Sequence, residues 1–370
     1  MHSQPDNSSP ASSAITQVII LSTNSPHGYR SHLADALREQ GLIVTFVHLK
    51  RAPIIYLTSH DEGRTTDLAS FVMWLRKSCQ DHPATLIINS TTTSYPFWSL
   101  LLKSICGGLW CFDLYDNFAV VHQDAARRFY EGILQKILAW SSDFVIRPSL
   151  TSVEVVPRSL YLPSASHVRP VERVSPDFSK VLILASFEQR TDFQFIEQTA
   201  RACPQRQFHL LGRMIDMAEQ EIARLLQAND NIKYFGAYQD ADLGQILGGY
   251  AIMFAPYLAN NFYTRYIDPN RYRHGLNSGL EVVTTEVPFS HVLGDRLHIV
   301  ASPEQAASVF EKIEHEPDFR RSLGHPGQIY VWSDVATQLL DMAADVRKNG
   351  KPPESSLAAE EAAHGGALKR

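Results

Sequence analysis

Residues 17–22, Gln-Val-Ile-Ile-Leu-Ser, form a short β-branched apolar run without polar interruption. That is the pattern of a parallel strand buried on both faces. Asn24, Pro26 and Gly28 break the run. Residues 31–40 then repeat apolar positions at helical spacing, and Gly41 follows as the stop. The same alternation continues with strands expected at 43–49, 85–89, 109–113 and 144–146 and helices at 67–79, 96–105 and 124–140. The most apolar stretch, 95–112, is divided by Lys103 and by Gly107-Gly108 into a helix, a turn and a strand. It is therefore no candidate for a bilayer span.

The rhythm restarts in the second half, with strands expected at 181–186, 207–212, 232–236, 251–256 and 281–285. Between the halves, residues 164–179 carry Pro170 and Pro176, mixed charge and little periodicity, which reads as a linker. The fold class expected is α/β: two Rossmann-like, doubly wound parallel-sheet domains facing across a cleft. Ligands in such sheets bind beyond the carboxyl ends of the strands. A last helix, 331–348, is expected to pack back across both domains. Residues 1–14 and 349–370, polar or rich in Ala, Glu, Pro and Gly, are expected to be disordered. The first of these lacks the basic and apolar regions of a signal peptide.

Composition narrows the picture without naming a function. Of 370 residues, 44% are hydrophobic and 20% charged, the balance of a globular α/β protein with two cores. A formal net charge of -5 gives no reason to expect nucleic-acid binding. Cys79, Cys106, Cys111 and Cys203 lack metal or disulfide spacing and read as reduced core thiols, which fits the cytoplasm. No G-x-G-x-x-G follows the first strand, and no P-loop, serine elbow or H-E-x-x-H occurs.

The stretch 271–285, Arg-Tyr-Arg-His-Gly-Leu-Asn-Ser-Gly-Leu-Glu-Val-Val-Thr-Thr, carries the most chemistry. It reads as a short helix, a turn at Gly279 and a β-branched strand. Arg271 and His274, spaced i, i+3, share a helix face near the helix start. Free N–H groups and the macrodipole attract anions there. Such a site suits a nucleotide-sugar diphosphate.

These residues resemble the donor domain of GT-B glycosyltransferases. Many of those enzymes have a lysine, a glutamate three residues on, a glycine and a Pro-Val-Val strand. Here Arg271 stands at the lysine, His274 at the glutamate, Gly279 at the glycine, and Glu281-Val282-Val283 replaces Pro-Val-Val. Residues 231–236 with 240–243, residues 251–257 and Trp332-Ser333-Asp334 are similar to three further elements of that domain. In the first half, Phe112-Asp113-Leu114-Tyr115-Asp116 resembles the Tyr-Asp-x-x-Asp element of the same enzymes, and 144–149 a later strand ending in Pro-Ser. The overall likeness is to the bacterial exopolysaccharide glucuronosyltransferase (xanthan-type) family. Relatives have Asn-Gly-Val-Asp where this chain has Pro163-Ser164-Ala165-Ser166.

The resemblance implies an acceptor domain at 15–163 and a donor domain at 180–330. It implies a metal-independent, inverting glycosyltransferase without a cofactor. The substrates would be a nucleoside-diphosphate sugar, UDP first, and a saccharide or polyprenyl-diphosphate-linked acceptor. Asp116 would be the general base, or else a helix cap. Arg271 would clamp the diphosphate, or else be a solvated helix charge. His274, Asn270, Tyr257 and Phe187 are further donor-site candidates; Tyr257 and Phe187 equally fit ordinary core aromatics. Arg30 meets an anionic acceptor or, as preferred, faces solvent. Lys50-Arg51 and Arg127-Arg128 are solvated faces or contacts to an anionic membrane. A sugar-nucleotide epimerase and a degenerate domain that binds without turnover are the alternatives.

Overall fold

A computed structural model describes residues 14–23, 29–49, 55–59, 62–90, 96–115, 124–149, 156, 159–168, 177–215, 218–258, 264–322 and 331–350. The expected disordered ends, apart from residues 14, 349 and 350, and the Lys50-Arg51 pair lie outside these residues.

The chain divides into two units. Unit 1 comprises residues 1–148, 152–162 and 332–359, and unit 2 comprises 149–151, 163–331 and 360–370.

In unit 1, β1 (Gln17–Ser22) leads into α1 (Tyr29–Glu39), and Gly41 at φ 83° turns the chain into β2 (Ile43–Leu49). After β3 (Ile55–Ser59) and β4 (Glu62–Thr66) come α2 (Leu68–Asp81), β5 (Thr85–Ser90) and α3 (Pro96–Cys106). β6 (Leu109–Asp113), α4 (Ala125–Ser141), β7 (Phe144–Arg147) and β8 (Leu160–Tyr161) complete the sheet, whose order is β4-β3-β2-β1-β5-β6-β7-β8. β1 and β5 are buried along their whole length, as the unbroken apolar runs require. Asp67 and Asp124 start α2 and α4 by accepting from the backbone N–H of Ser70 and Arg127.

The sheet is not wholly parallel, contrary to expectation. β3 pairs antiparallel with both β2 and β4. Only two residues separate β3 from β4, too few for the crossover that a parallel pair needs. Neither strand shows a long apolar run, so the apolar pattern did not mark them.

In unit 2, β9 (Lys180–Leu184), α5 (Phe193–Ala202), β10 (Gln207–Leu211), α6 (Ala218–Ala228) and β11 (Ile232–Tyr234) form one half. α7 (Leu243–Gly248), β12 (Ile252–Ala255), α8 (Asn270–Asn277) and β13 (Glu281–Thr285) follow. Then come α9 (Ser290–Leu293), β14 (Leu297–Val300) and α10 (Pro303–His315). The sheet is parallel throughout, in the order β11-β10-β9-β12-β13-β14. Alternate residues of β9 serve opposite layers: Val181 and Ile183 pack with Phe208, Phe254 and Phe310, while Leu182 and Leu184 pack with Met253, Tyr272 and Leu276. Each of these fully buried side chains contributes about 2 kcal/mol.

Two glycines set close approaches. A Cβ on Gly212 (φ 139°) would lie 1.6 Å from the Ala185 carbonyl oxygen, so only glycine lets the ends of β9 and β10 meet. A Cβ on Gly275 would lie 2.6 Å from the Met253 methyl, so glycine brings α8 down onto β12 and β13. The helix α11 (Trp332–Asn349) packs on α1 within unit 1. All four cysteines are buried and free, and burial pushes the Cys79 and Cys203 thiols up to about 11. Among the described residues, no helix is long and apolar enough to cross a membrane.

Candidate functional site

In each sheet the strand order reverses beside the first strand of the unit. In unit 2 this switch point lies between β9 and β12, because β9 pairs with both β10 and β12. The loops leaving these two strands must diverge to opposite faces, which opens a crevice at their carboxyl ends.

That crevice is built by residues from three loops and one helix. Beyond β9, the chain turns through Glu188 to Thr191, with the Thr191 N–H donating to the Glu188 carbonyl. Arg190 pairs with the Glu188 carboxylate through Nε at 2.7 Å and through a second guanidinium nitrogen. Beyond β12, Tyr257 lies antiparallel to Thr191, and the Leu258 N–H donates to the Arg190 carbonyl. At the end of β13, Thr285 holds Tyr257 at both backbone groups: its hydroxyl donates to the carbonyl, and its oxygen accepts from the N–H, each at 2.7 Å.

The helix α8 brings the cation. Arg271 sits in its first turn, and its guanidinium carbon lies 4.6 Å from the centre of the Tyr257 ring. Tyr272 meets Tyr257 edge-on at 6.1 Å and shares a 2.6 Å hydrogen bond with Thr284. Burial pushes both phenols above their ordinary range, so both stay neutral near pH 7. Pro269 precedes the helix and offers no side-chain cap, while the Asn270 Oδ1 is buried without a hydrogen-bond partner. Arg271 is half-buried and has no ion pair among the described residues. The crevice thus presents a cation fixed on an aromatic plate, beside uncapped helix N–H groups, which is an arrangement that suits a phosphate.

His274 faces inward. It is buried, its Nδ1 lies 2.8 Å from the Ser166 hydroxyl, and its ring meets His167 edge-on at 4.9 Å. The Ser164 N–H donates to Asp268, which also pairs with the fully buried Arg273. The Pro163-Ser164-Ala165-Ser166 segment is therefore bound to α8 and to the loop before it. On α8, Arg271 is half-buried and His274 buried.

Phe187 is fully buried between Phe193 and Tyr234, so its ring supports the crevice from below and offers no surface to a ligand. Glu281 is also structural. Its carboxylate accepts from the Arg321 and Ser322 N–H groups and lies 2.7 Å from His298 Nε2.

A groove of about 700 Å³ adjoins the Arg190 loop, lined by Glu188, Thr191, Asp192, Phe193, Glu197 and Leu258 among others. Burial pushes the Asp192 carboxyl above its ordinary value. Arg224 also lines this groove and pairs with Glu197, and the size and polarity of the groove suit a polyhydroxyl group. On α10, Glu311, Glu314 and His315 approach within 4.8 Å of one another, and Arg206 pairs with both carboxylates.

In unit 1 the switch point lies between β1 and β5. Arg30, in the first turn of α1, is 7% exposed and does not face solvent. Its Nε donates to Asp113 at 2.5 Å, a second nitrogen pairs with the same carboxylate, and the Ser90 hydroxyl donates to it as well. Asp113 ends β6, so this pairing carries the guanidinium into the fold. Asp116 falls outside the described residues, two positions beyond Leu114.

The sequence reading missed Arg190, Glu188 and Thr285. The first two follow the unit's first strand, so position at a switch point was their signal, while Thr285 ends β13, one strand further along the sheet.

No family model matches the chain, and no curated protein sequence matches it. Solved structures do. A sucrose-phosphate synthase from Thermosynechococcus elongatus matches at TM-score 0.63 and 16% identity, over 88% of this chain and 97% of the other. Anabaena HepE, in complex with UDP and glucose, matches at 0.59 and 12%, over 90% and 97%. A protein from Listeria monocytogenes assigned as a UDP-N-acetylglucosamine 2-epimerase matches at 0.57 and 10%, over 91% and 98%. The likeness is one of fold. It extends over both units, and two Rossmann-like sheets of this kind are the architecture of GT-B enzymes.

Proposed function

We propose that this chain is a glycosyltransferase that moves a sugar from a UDP-sugar to a saccharide or lipid-linked saccharide. The observation that carries the reading is the Arg271 guanidinium held over Tyr257 beside Arg190 at the switch point of unit 2. UDP is favoured as the carrier because several structures of the same fold were solved with UDP or UDP-glucose.

In this reading the acceptor hydroxyl oxygen attacks the anomeric carbon as the bond to the UDP oxygen breaks, with inversion. The hydroxyl proton passes to the Asp116 carboxylate. Negative charge grows on the diphosphate, where Arg271 and the α8 N–H groups stabilise it without requiring a metal ion. Asn270 and Tyr257 position the donor, and His274 braces α8 through Ser166. Exopolysaccharide or glycolipid assembly at the inner membrane face is the setting this chemistry fits.

Two experiments test this. Thermal shift with UDP, GDP and ADP is expected to give the largest stabilisation with UDP. Asp116→Asn is expected to lower turnover by about 10²–10⁴-fold with UDP affinity retained. Unchanged turnover would remove Asp116 from the mechanism.

Epimerisation of a UDP-sugar is the second reading, supported by the match to the assigned epimerase. Formation of an epimerised sugar from the donor alone, without acceptor, would select it.

A further inference from the structure

We infer that the groove beside α5 and α6 in unit 2 binds an uncharged oligosaccharide, at a site separate from the donor crevice. Its volume of about 700 Å³ lies within the range of sites that enclose a small ligand, ~300–1,000 Å³. The loop after β9 lines it through Glu188 and Thr191, α5 through Phe193 and Glu197, and α6 through Glu221 and Arg224. The helix α8, which carries Arg271, contributes none of the lining residues, and neither does the Tyr257 plate. The groove therefore stands on the unit that holds the crevice but uses none of the groups assigned to the diphosphate.

Charge selects the class of ligand. Glu197 is buried on α5, where one carboxylate oxygen accepts from Arg201 at 2.6 Å and the other from Arg224. Arg224 also donates to Glu221 at 3.1 Å, so Arg201, Glu197, Arg224 and Glu221 form one ladder from α5 to α6. Glu188 is held by Arg190, and Asp192 caps α5 by accepting from the Phe195 N–H. An ion of either sign would have to break into these pairs. A hydroxyl does not, because it donates and accepts at once, while each carboxylate keeps further lone pairs and Arg224 further N–H groups to meet it. Hydrogen bonds to such charged partners are stronger than those between neutral groups.

Phe193 supplies the apolar half of the site. It is half-buried, and its ring lies 6.4 Å from that of the fully buried Phe187, which supports it. Leu258 and Ala218 add apolar surface to the lining. A pyranose ring is apolar across its C–H face and polar around its edge. It can lay that face on a flat aromatic ring and turn its hydroxyls to the ion-pair ladder, which gives the mostly apolar lining with a few orienting polar groups that small-ligand sites share. The inference goes beyond the transfer reading, since it needs neither a donor nor a base.

The test is saturation-transfer NMR and calorimetry on the full chain with cellotetraose, maltotetraose and mannotetraose, and with tetragalacturonate as the charged counterpart, each with and without saturating UDP. At least one neutral tetrasaccharide is expected to bind, tetragalacturonate to bind about tenfold more weakly, and UDP to leave the neutral saccharide's affinity unchanged. Phe193→Leu keeps an apolar side chain against Phe187 but removes the flat face, and Arg224→Gln cuts the ladder at its 46% exposed member. Each is expected to weaken saccharide binding about tenfold with UDP affinity retained. Arg224 is exposed enough that its variant should melt at the wild-type temperature, so the inference stays testable if Phe193→Leu loses stability. It is overturned if none of the neutral tetrasaccharides binds, if tetragalacturonate binds as tightly as they do, or if both variants bind as the wild type does. Displacement of the saccharide by UDP would overturn it too, by assigning the groove to the donor crevice.

Discussion

The two units use the same construction and treat an arginine at the switch point in opposite ways. In unit 1, Arg30 is driven into the fold and neutralised by Asp113, itself fully buried and held by Ser90. In unit 2, Arg271 remains half-buried on the Tyr257 ring and has no carboxylate partner among the described residues. A cation matched by a buried carboxylate stabilises a fold and is closed to ligands. One resting on a neutral ring keeps its hydrogen-bond donors for an incoming anion. The fold alone therefore does not distinguish the two switch points; the counter-charge does.

The largest effect should come from breaking the unit 1 pair. Asp113→Ala leaves the Arg30 guanidinium buried without its carboxylate and should cost about 3–5 kcal/mol, read from urea unfolding. Replacing both residues by apolar groups of similar volume should restore much of that loss. The corresponding change in unit 2 should act on binding. Arg271→Ala is expected to lower UDP affinity by about 1.5–3 kcal/mol, roughly 10- to 150-fold, in calorimetry. Its effect on unfolding should be about 1 kcal/mol or less. If the two substitutions exchange effects, the contrast between the units is wrong.

The smallest effect should be a pH slope confined to unit 2. Burial holds His209 below its ordinary value of 6.5, so the fold keeps it neutral while the unfolded chain protonates it. The unfolded state then binds more protons as pH falls through that value. Stability should be full above it and decline below it. The urea midpoint is expected to drop between about pH 7.5 and 5.5, and His209→Phe should flatten that part of the profile.

Much of this architecture was legible in the apolar pattern. Both series of buried strands, the helix-turn-strand at α3 and β6, and the helix-glycine-strand unit at 270–285 were all marked there. The hairpin β3–β4 was not, because an edge ribbon needs no continuous apolar run. β14 was missed for a related reason: Leu297-His298-Ile299-Val300 interrupts its run with a histidine whose partner, Glu281, is distant in sequence. Within the site, Arg271 and Tyr257 were named from the chain, but their contact was not, since they lie on different elements. Phe187 reads as a pocket wall or a core ring equally well in sequence, and the packing of Phe193 and Tyr234 around it decides for the core.

The sequence by itself determined the two β-α series, the glycines that permit their tight turns and the placing of cations near helix starts. Those properties are local: they depend on hydrophobic period, backbone freedom and spacing along the chain. Tertiary structure decided which charges are spent and which remain. Arg30 meets a carboxylate 83 residues away, and Ser166 meets His274 across 108. Pairing of that kind depends on which strand ends and helix starts the fold brings together, and no local pattern encodes it.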